Sequence, residues 1–116
     1  MDKAKIKDWH AHVYFDAITV EPAQALREKI EKAFTIEMRR FHERPVGPHP
    51  MFSYQVTVPN DQFADVVSWL TLNHGDLTVF IHPNTGQDLE DHRDRAVWIG
   101  KSMPLVLSLF TDRKKD

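Results

Sequence analysis

The sequence predicts an α+β domain in which two helices cover one face of an antiparallel sheet. Three observations predict it. The segments Trp9–Phe15 and Met51–Val58 carry the aromatic and β-branched alternation of strands. The segments after Pro22 and Asn60 repeat apolar residues at helical spacing. Their order is strand, helix, strand, strand, helix, strand, with one further strand at the end, which is the ferredoxin-like βαββαβ plan plus an extra C-terminal strand. With 116 residues, 41% of them hydrophobic, residues 1–116 read as a single domain.

Each element has its own local reason. Trp9 to Phe15 alternates between polar flanks. Pro22 suits a helix's first turn, and Ala23, Leu26, Ile30, Ala33 and Phe34 follow at helical spacing, with Glu28 and Lys32 paired outside. Ile36 to Phe41 reads as a short strand with a charged face. Arg44 to Pro50 holds three prolines and a glycine, so it is irregular. Asn60, just after Pro59, reads as a helix N-cap. Phe63, Val66, Val67 and Leu70 form that helix's apolar stripe, and Gly75 ends it. Leu77 to His82 is a strand, Pro83 to Lys101 a long polar connection with a helical turn, and Leu105 to Phe110 a last strand. The plan implies the spatial order 4-1-3-2, which makes the first, third and fourth strands neighbours.

Composition excludes several functions. The 15 basic and 17 acidic residues nearly balance, and no basic block exceeds Arg113-Lys114-Lys115, so there is no footprint for nucleic acid. The longest apolar stretch, Leu105 to Phe110, is far too short to span a membrane. The polar start, Met1 to Lys5, lacks a signal-like apolar region. With no cysteine, disulfides, thiolate metal sites and cysteine nucleophiles are excluded. The expectation is a cytoplasmic protein.

Histidine is the enriched residue, with seven copies. It is the commonest neutral metal ligand and an acid/base near pH 7. In the first strand Trp9, Ala11, Val13 and Phe15 point toward the helices, which sends His10, His12 and Tyr14 to the uncovered face. The same alternation puts Ser53, Gln55 and Thr57 of the third strand, and Thr78, Phe80 and His82 of the fourth, on that face. Residues i and i+2 on a strand lie about 6.5–7 Å apart, close enough for two imidazoles to converge on one ion. A third ligand from a neighbouring strand completes the half-shell of a catalytic metal. His49, in Gly47-Pro48-His49-Pro50, and His92, in Asp91-His92-Arg93, can close over the face. Plainer roles compete. A solvated sheet face gives the same alternation, His74 beside Gly75 suits a helix C-terminus, and His42 reads as an ordinary exposed residue. Tyr14 and Phe80 serve equally as dimer contacts, and the charges from Asp88 to Arg95 as a solvated turn.

Three stretches carry a resemblance: Trp9-His10-Ala11-His12-Val13-Tyr14-Phe15, His42-Glu43-Arg44-Pro45-Val46-Gly47-Pro48-His49-Pro50, and His82-Pro83-Asn84-Thr85-Gly86-Gln87-Asp88-Leu89-Glu90-Asp91-His92-Arg93. In this order, and over about Ile6 to Phe110, the chain resembles the DOPA 4,5-dioxygenase family. The resemblance implies extradiol cleavage of a catechol such as L-DOPA by O2 at a non-haem Fe(II). It points to His10, His12, His49, His82 and His92 without dividing ligands from acid/base groups. Common Fe(II) oxygenases use two histidines and a carboxylate. Glu43, Asp88 and Asp91 lie within the motifs, yet none falls on the open face, which leaves an all-histidine shell.

Position along the strands gives a provisional division. His12 sits deep in its strand, His82 ends the fourth strand before Pro83, and His49 is held between two prolines, so these three are the expected metal ligands. His10 and His92 are the expected acid/base pair. Arg44, Arg93 and Tyr14 are candidates for holding substrate, the arginines through paired hydrogen bonds to a carboxylate. Zinc or nickel can take iron's place in such a site. A small domain with an aromatic open face, and a last strand apolar on both sides, leads to the expectation of a homodimer. The competing readings are a non-catalytic dimer binding a metal or aromatic ligand on the same face, and another metal-dependent oxygenase or isomerase.

Overall fold

The structure is a computed structural model, and it describes residues 5–113. The elements run β1 (Trp9–Phe15), α1 (Val20–Ala33), β2 (Glu37–Met38), β3 (Phe52–Val58), α2 (Phe63–Asn73), β4 (Thr78–Pro83), α3 (Asp88–Arg93), β5 (Val97–Ile99) and α4 (Ser108–Arg113). One antiparallel sheet has the order β2-β3-β1-β4-β5. The expected 4-1-3-2 arrangement is present, extended at the β4 edge.

β1 is central. Its residues pair with β3 on one side, as in His12 with Gln55, and with β4 on the other, as in His10 with His82. Its helix-side residues Ala11, Val13 and Phe15 are buried with Val56, Val58, Val79 and Ile81 of its neighbours. α1 contributes Ala23, Leu26 and Ile30, and α2 contributes Val66 and Leu70, all at helical spacing. Each such aliphatic side chain contributes about 1.5–3 kcal/mol on full burial. Tyr54 carries its hydroxyl into this layer and donates it to the Ala23 carbonyl at 3.0 Å, tying β3 to α1.

Helix ends differ in detail from expectation. Asn60 does not cap α2: residues 60–62 form a single 3₁₀ turn, α2 begins at Phe63, and the Asn60 amide donates instead to the Ile6 carbonyl at 2.8 Å. Gly75, with φ +61°, takes the left-handed turn that ends α2 after its cap residue His74.

Two corrections matter more. Leu105–Phe110 is not a strand; residues 105–107 are irregular and α4 starts at Ser108. A six-residue apolar run does not by itself distinguish a strand from a short buried helix, and the β4 edge it would have joined is taken by β5. β5 has only three residues, too few to show alternation, and was read as part of the polar connection. The second correction concerns the open face. The segment from Val106 crosses it: the Val106 N–H donates to the Pro48 carbonyl at 2.9 Å, and the Phe110 ring lies 4.4 Å from that of His92. Tyr14 and Phe80 are accordingly buried within the one chain, against Trp98 of β5. Two of the grounds for expecting a dimer, exposed aromatics and a two-sided last strand, are absent because the chain covers its own face; the small size of the domain remains a ground for it. No described helix is long and apolar enough to cross a membrane.

The two leucines of α2 give a contrast that checks this packing. Leu70 is fully buried, and Leu72 is 84% exposed. Leu70→Ala is expected to lower the unfolding free energy by about 2–5 kcal/mol, whereas Leu72→Gln changes it by no more than about 0.5 kcal/mol. Urea denaturation of the two variants measures both.

Candidate active site

The site face is built from transverse rows of paired residues. One row runs Thr57, His10, His82 across β3, β1 and β4. The next runs Gln55, His12, Phe80, Trp98 through to β5. At the β2 end it gains Arg39, whose N–H donates to the Gln55 carbonyl at 2.8 Å. A third runs His42, Ser53, Tyr14, Thr78, His42 being bridged to Ser53. The alternation of strands thus places His10, His12 and His82 together as the sequence required.

Their ring nitrogens converge. One ligand atom from each of His10, His12 and His82 lies within 4.8 Å of the others, a group able to hold a metal ion. Nε2 of His12 and Nε2 of His82 are 3.1 Å apart. Two nitrogens bound at right angles to one ion, each about 2.1 Å from it, stand about 3.0 Å apart, so the spacing already suits adjacent ligand positions. The protons can be assigned. A carbonyl only accepts, so His82 donates its Nδ1–H to the Pro83 oxygen at 2.9 Å and offers the Nε2 lone pair. In the 3.1 Å contact the donor is therefore His12 Nε2–H, the proton that a cation would replace. A ring N–H held by a backbone carbonyl is the usual support behind a metal-ligating imidazole.

His49 is not in that group, though its ring centroid lies 4.1 Å from that of His12. Its Nδ1 is 2.7 Å from the buried Tyr14 hydroxyl. His92 sits on α3 and donates Nδ1–H to the Asp88 carbonyl at 2.7 Å, leaving its Nε2 lone pair free; its ring is 4.0 Å from that of His82. All five imidazoles are held neutral. Burial, then the charges of His49, His82, His10 and His92, push His12 well below its ordinary value. Burial first and the charge of His92 second lower His82 to about 3 and His49 to about 4. Burial also leads the lowering of His10 and His92, and it raises the Tyr14 phenol, which stays protonated. Neutral imidazoles are competent ligands and bases at neutral pH.

Two cavities flank the cluster. One of about 340 Å³ is bounded by His10, His82, His92, Asp88 and Phe110 among others. The other, of about 390 Å³, is bounded by Arg39, Arg40, His42, Val46 and Ser53. His12, His49 and Gln55 line both, so the two meet along these side chains.

A profile of the Dopa 4,5-dioxygenase family matches residues 9–109. The chain belongs to that family. It is 40% identical over 114 residues to a DOPA 4,5-dioxygenase of Amanita muscaria, an alignment covering 90% of this chain and 50% of that protein. It is 37% identical over 116 residues to an uncharacterized 21.2 kDa protein of Botryotinia fuckeliana, covering 90% of this chain and 63% of that one. The chain therefore spans about half to two thirds of the length of these curated relatives. The crystal structure of a candidate dioxygenase from Nostoc punctiforme superposes with a TM-score of 0.93 at 36% identity, covering 97% of this chain and 98% of that one. The matched region contains the strands and loops that surround the cluster.

Not every residue singled out by sequence reaches it. Arg44 is exposed and lines neither cavity. Arg93 is exposed and paired with Asp94 at 2.7 Å. Tyr14 is on the site face, but its hydroxyl is engaged with His49. Of the carboxylates in the motifs, Glu43 is exposed, Asp88 borders the smaller cavity, and Asp91 is turned inward. The sequence pattern does not single out Arg39, Arg40 or Trp98; it gives His42 as an exposed residue and Phe110 as part of a strand, whereas His42 borders the larger cavity and Phe110 the smaller. The signal for Arg39 was available in the charged alternation of β2. No periodic signal marks Trp98 or Phe110, because β5 is so short and Phe110 arrives from a distant segment.

Asp91 holds α3 in place. Its carboxylate accepts from the Thr85 N–H at 2.8 Å, from the Thr85 hydroxyl at 2.8 Å, and from Arg95 at 2.8 Å. Burial works against this charge, yet the hydrogen bonds from Thr85 and Arg95 outweigh it and leave the carboxyl below its ordinary value. Such a group stabilises the fold at pH values above the ordinary carboxylate pKa, and that contribution fades as pH falls through its lowered value. Asp91→Asn is expected to cost about 2–4 kcal/mol at pH 7, since it removes the buried charge that accepts hydrogen bonds from Thr85 and Arg95. Chemical denaturation as a function of pH is the check. The wild type should lose stability below about pH 4, and the variant should lose less over that range.

Proposed function

We propose that this chain is a metal-dependent extradiol dioxygenase that opens the ring of a catechol, such as L-DOPA or a related aromatic, with O2. The observation that carries the proposal is the convergence of His10, His12 and His82 on one buried point beside two cavities. The family membership and the candidate dioxygenase of nearly identical fold support it.

The three neutral imidazoles form an all-histidine half-shell, with Fe(II) the proposed ion and Zn or Ni able to bind the same nitrogens. Iron, when bound, supplies the redox-active Lewis acid that a catechol needs to react with O2. The remaining work belongs to side chains. His92 presents an unprotonated Nε2 toward the cavity, since Asp88 holds its other nitrogen, so it is suited to take a proton from a catechol hydroxyl. His49 lies on the far side of His12 and shares a proton with Tyr14, which suits it to hydrogen-bond the second catechol oxygen. Phe110 borders the smaller cavity and lies 4.4 Å from the His92 ring, an apolar wall against which a benzene ring can pack.

The convergence of nitrogens supports His10, rather than the provisional His49, as the third ligand. Anaerobic equilibrium dialysis with Fe(II) separates the two. His10→Ala, His12→Ala and His82→Ala should each lose stoichiometric metal, whereas His49→Ala and His92→Ala retain it. Metal retained in His10→Ala and lost in His49→Ala would return His49 to the shell. On the metal-loaded protein, oxygen consumption with a panel of catechols should fall roughly 10²–10⁴-fold in His92→Ala, the usual size of a general-base contribution. Wild-type protein that binds Fe(II) but consumes no oxygen with any catechol would end the catechol-dioxygenase reading.

A further inference from the structure

The larger cavity has a wall that the cleavage of a catechol ring does not require. Arg39 and Arg40 both border it, alongside the neutral donors Ser53 and Gln55, and none of its described lining residues is a carboxylate. At its other side stand His12 and His49, the edge of the histidine cluster. β2 stops at Met38, so strand alternation no longer sends Arg39 and Arg40 to opposite faces.

The position of Arg39 is fixed from its backbone. Its N–H donates to the Gln55 carbonyl, and its carbonyl accepts from the Arg27 guanidinium at 2.8 Å. Gln55 is in turn paired with His12. Arg39 is therefore two strand spacings from His12 in the same row, about 10 Å between backbones. That separation lets a long arginine side chain meet the tail of a ring whose reacting end lies at the histidines. The ion pair of Arg39 with Glu37 is long, 3.8 Å, and both side chains are more than half exposed. Such surface pairs contribute little, so a ligand carboxylate competes with it easily.

We propose that Arg39 and Arg40 form an anion-binding wall that selects catechols bearing a carboxylate on a ring substituent. The proposal rests on the catechol reading above and deepens it by assigning the residues that hold a substrate carboxylate such as the one L-DOPA carries. Guanidinium groups bind carboxylates through paired, charge-assisted hydrogen bonds. Arg44 and Arg93, the arginines nearest the histidine motifs in sequence, line neither cavity.

The test compares two probes, 3,4-dihydroxyphenylacetate and 4-methylcatechol, which share the diol and differ in the carboxylate. Their affinities for the anaerobic Fe(II)-loaded protein are measured by calorimetry, and their kcat/KM values by oxygen uptake. The wild type should favour the carboxylate probe by at least about tenfold. Arg39→Gln and Arg40→Gln should each shrink that ratio several-fold, and the double variant should abolish it. Arg93→Gln should keep the wild-type ratio. Higher salt should also compress it, as expected of a partly exposed ion pair. Equal affinity of the wild type for both probes, or a ratio that survives in the double variant, overturns the wall. Turnover without preference removes the wall and leaves the dioxygenase standing; preference in binding without turnover supports the wall and removes the dioxygenase.

Discussion

The register of β1 is the constraint on which the rest of this molecule depends. The strand is paired on both sides, and its residues alternate between a hydrophobic layer under two helices and a face of imidazoles. A shift of one residue against either neighbour would bury histidines beneath α1 and α2 and turn Ala11, Val13 and Phe15 toward the cavities. Folding and site formation are therefore one event. The apolar layer stabilises only the register that brings His10 and His12 beside His82.

Burial then sets the chemistry of that face. Packing five imidazoles under a loop, a short helix and a crossing segment removes water and makes any one positive charge unwelcome to the rest. Left there, the arrangement would be a costly collection of buried polar groups. It is tolerated because four of the five rings have a defined partner: Pro83 for His82, Asp88 for His92, Tyr14 for His49, and His82 for His12. Backbone carbonyls fix two of the tautomers, so the lone pairs face the cavity before any ion or substrate arrives. This preorganisation follows from strand ends and a helix turn and needs no flexible loop to complete it.

Much of this was legible in the sequence because it follows from period two. The faces of β1, β3 and β4, the partners of the central strand and the meeting of His10, His12 and His82 all come from counting alternate residues. The division of roles was less legible. His49 and His10 both lie near His12, and only the distances between nitrogens separate them. The covering of the face was hidden altogether. Leu105 to Phe110 shows hydrophobicity without a period, and its place depends on contacts with Pro48 and His92, far away in the chain. The inward turn of Asp91 was masked likewise, since a run of charges between Asp88 and Arg95 looks solvated until Thr85 is seen to fold back onto it.

The floor and the roof of the site are made from different kinds of chain. Strands with fully paired backbones make the floor. The roof is made by residues around Pro48 and by the segment from Val106 to Phe110, which touch through the hydrogen bond between the Val106 N–H and the Pro48 carbonyl. In evolutionary terms this divides the molecule into an intolerant half and a permissive one. An insertion in β1 disrupts both of its faces at once, while a residue gained or lost in either roof segment changes the shape of the cavities and leaves the strand imidazoles of His10, His12 and His82 where they were. A lineage can thus reshape the cavities by editing its loops, inheriting the cluster of His10, His12 and His82 unchanged.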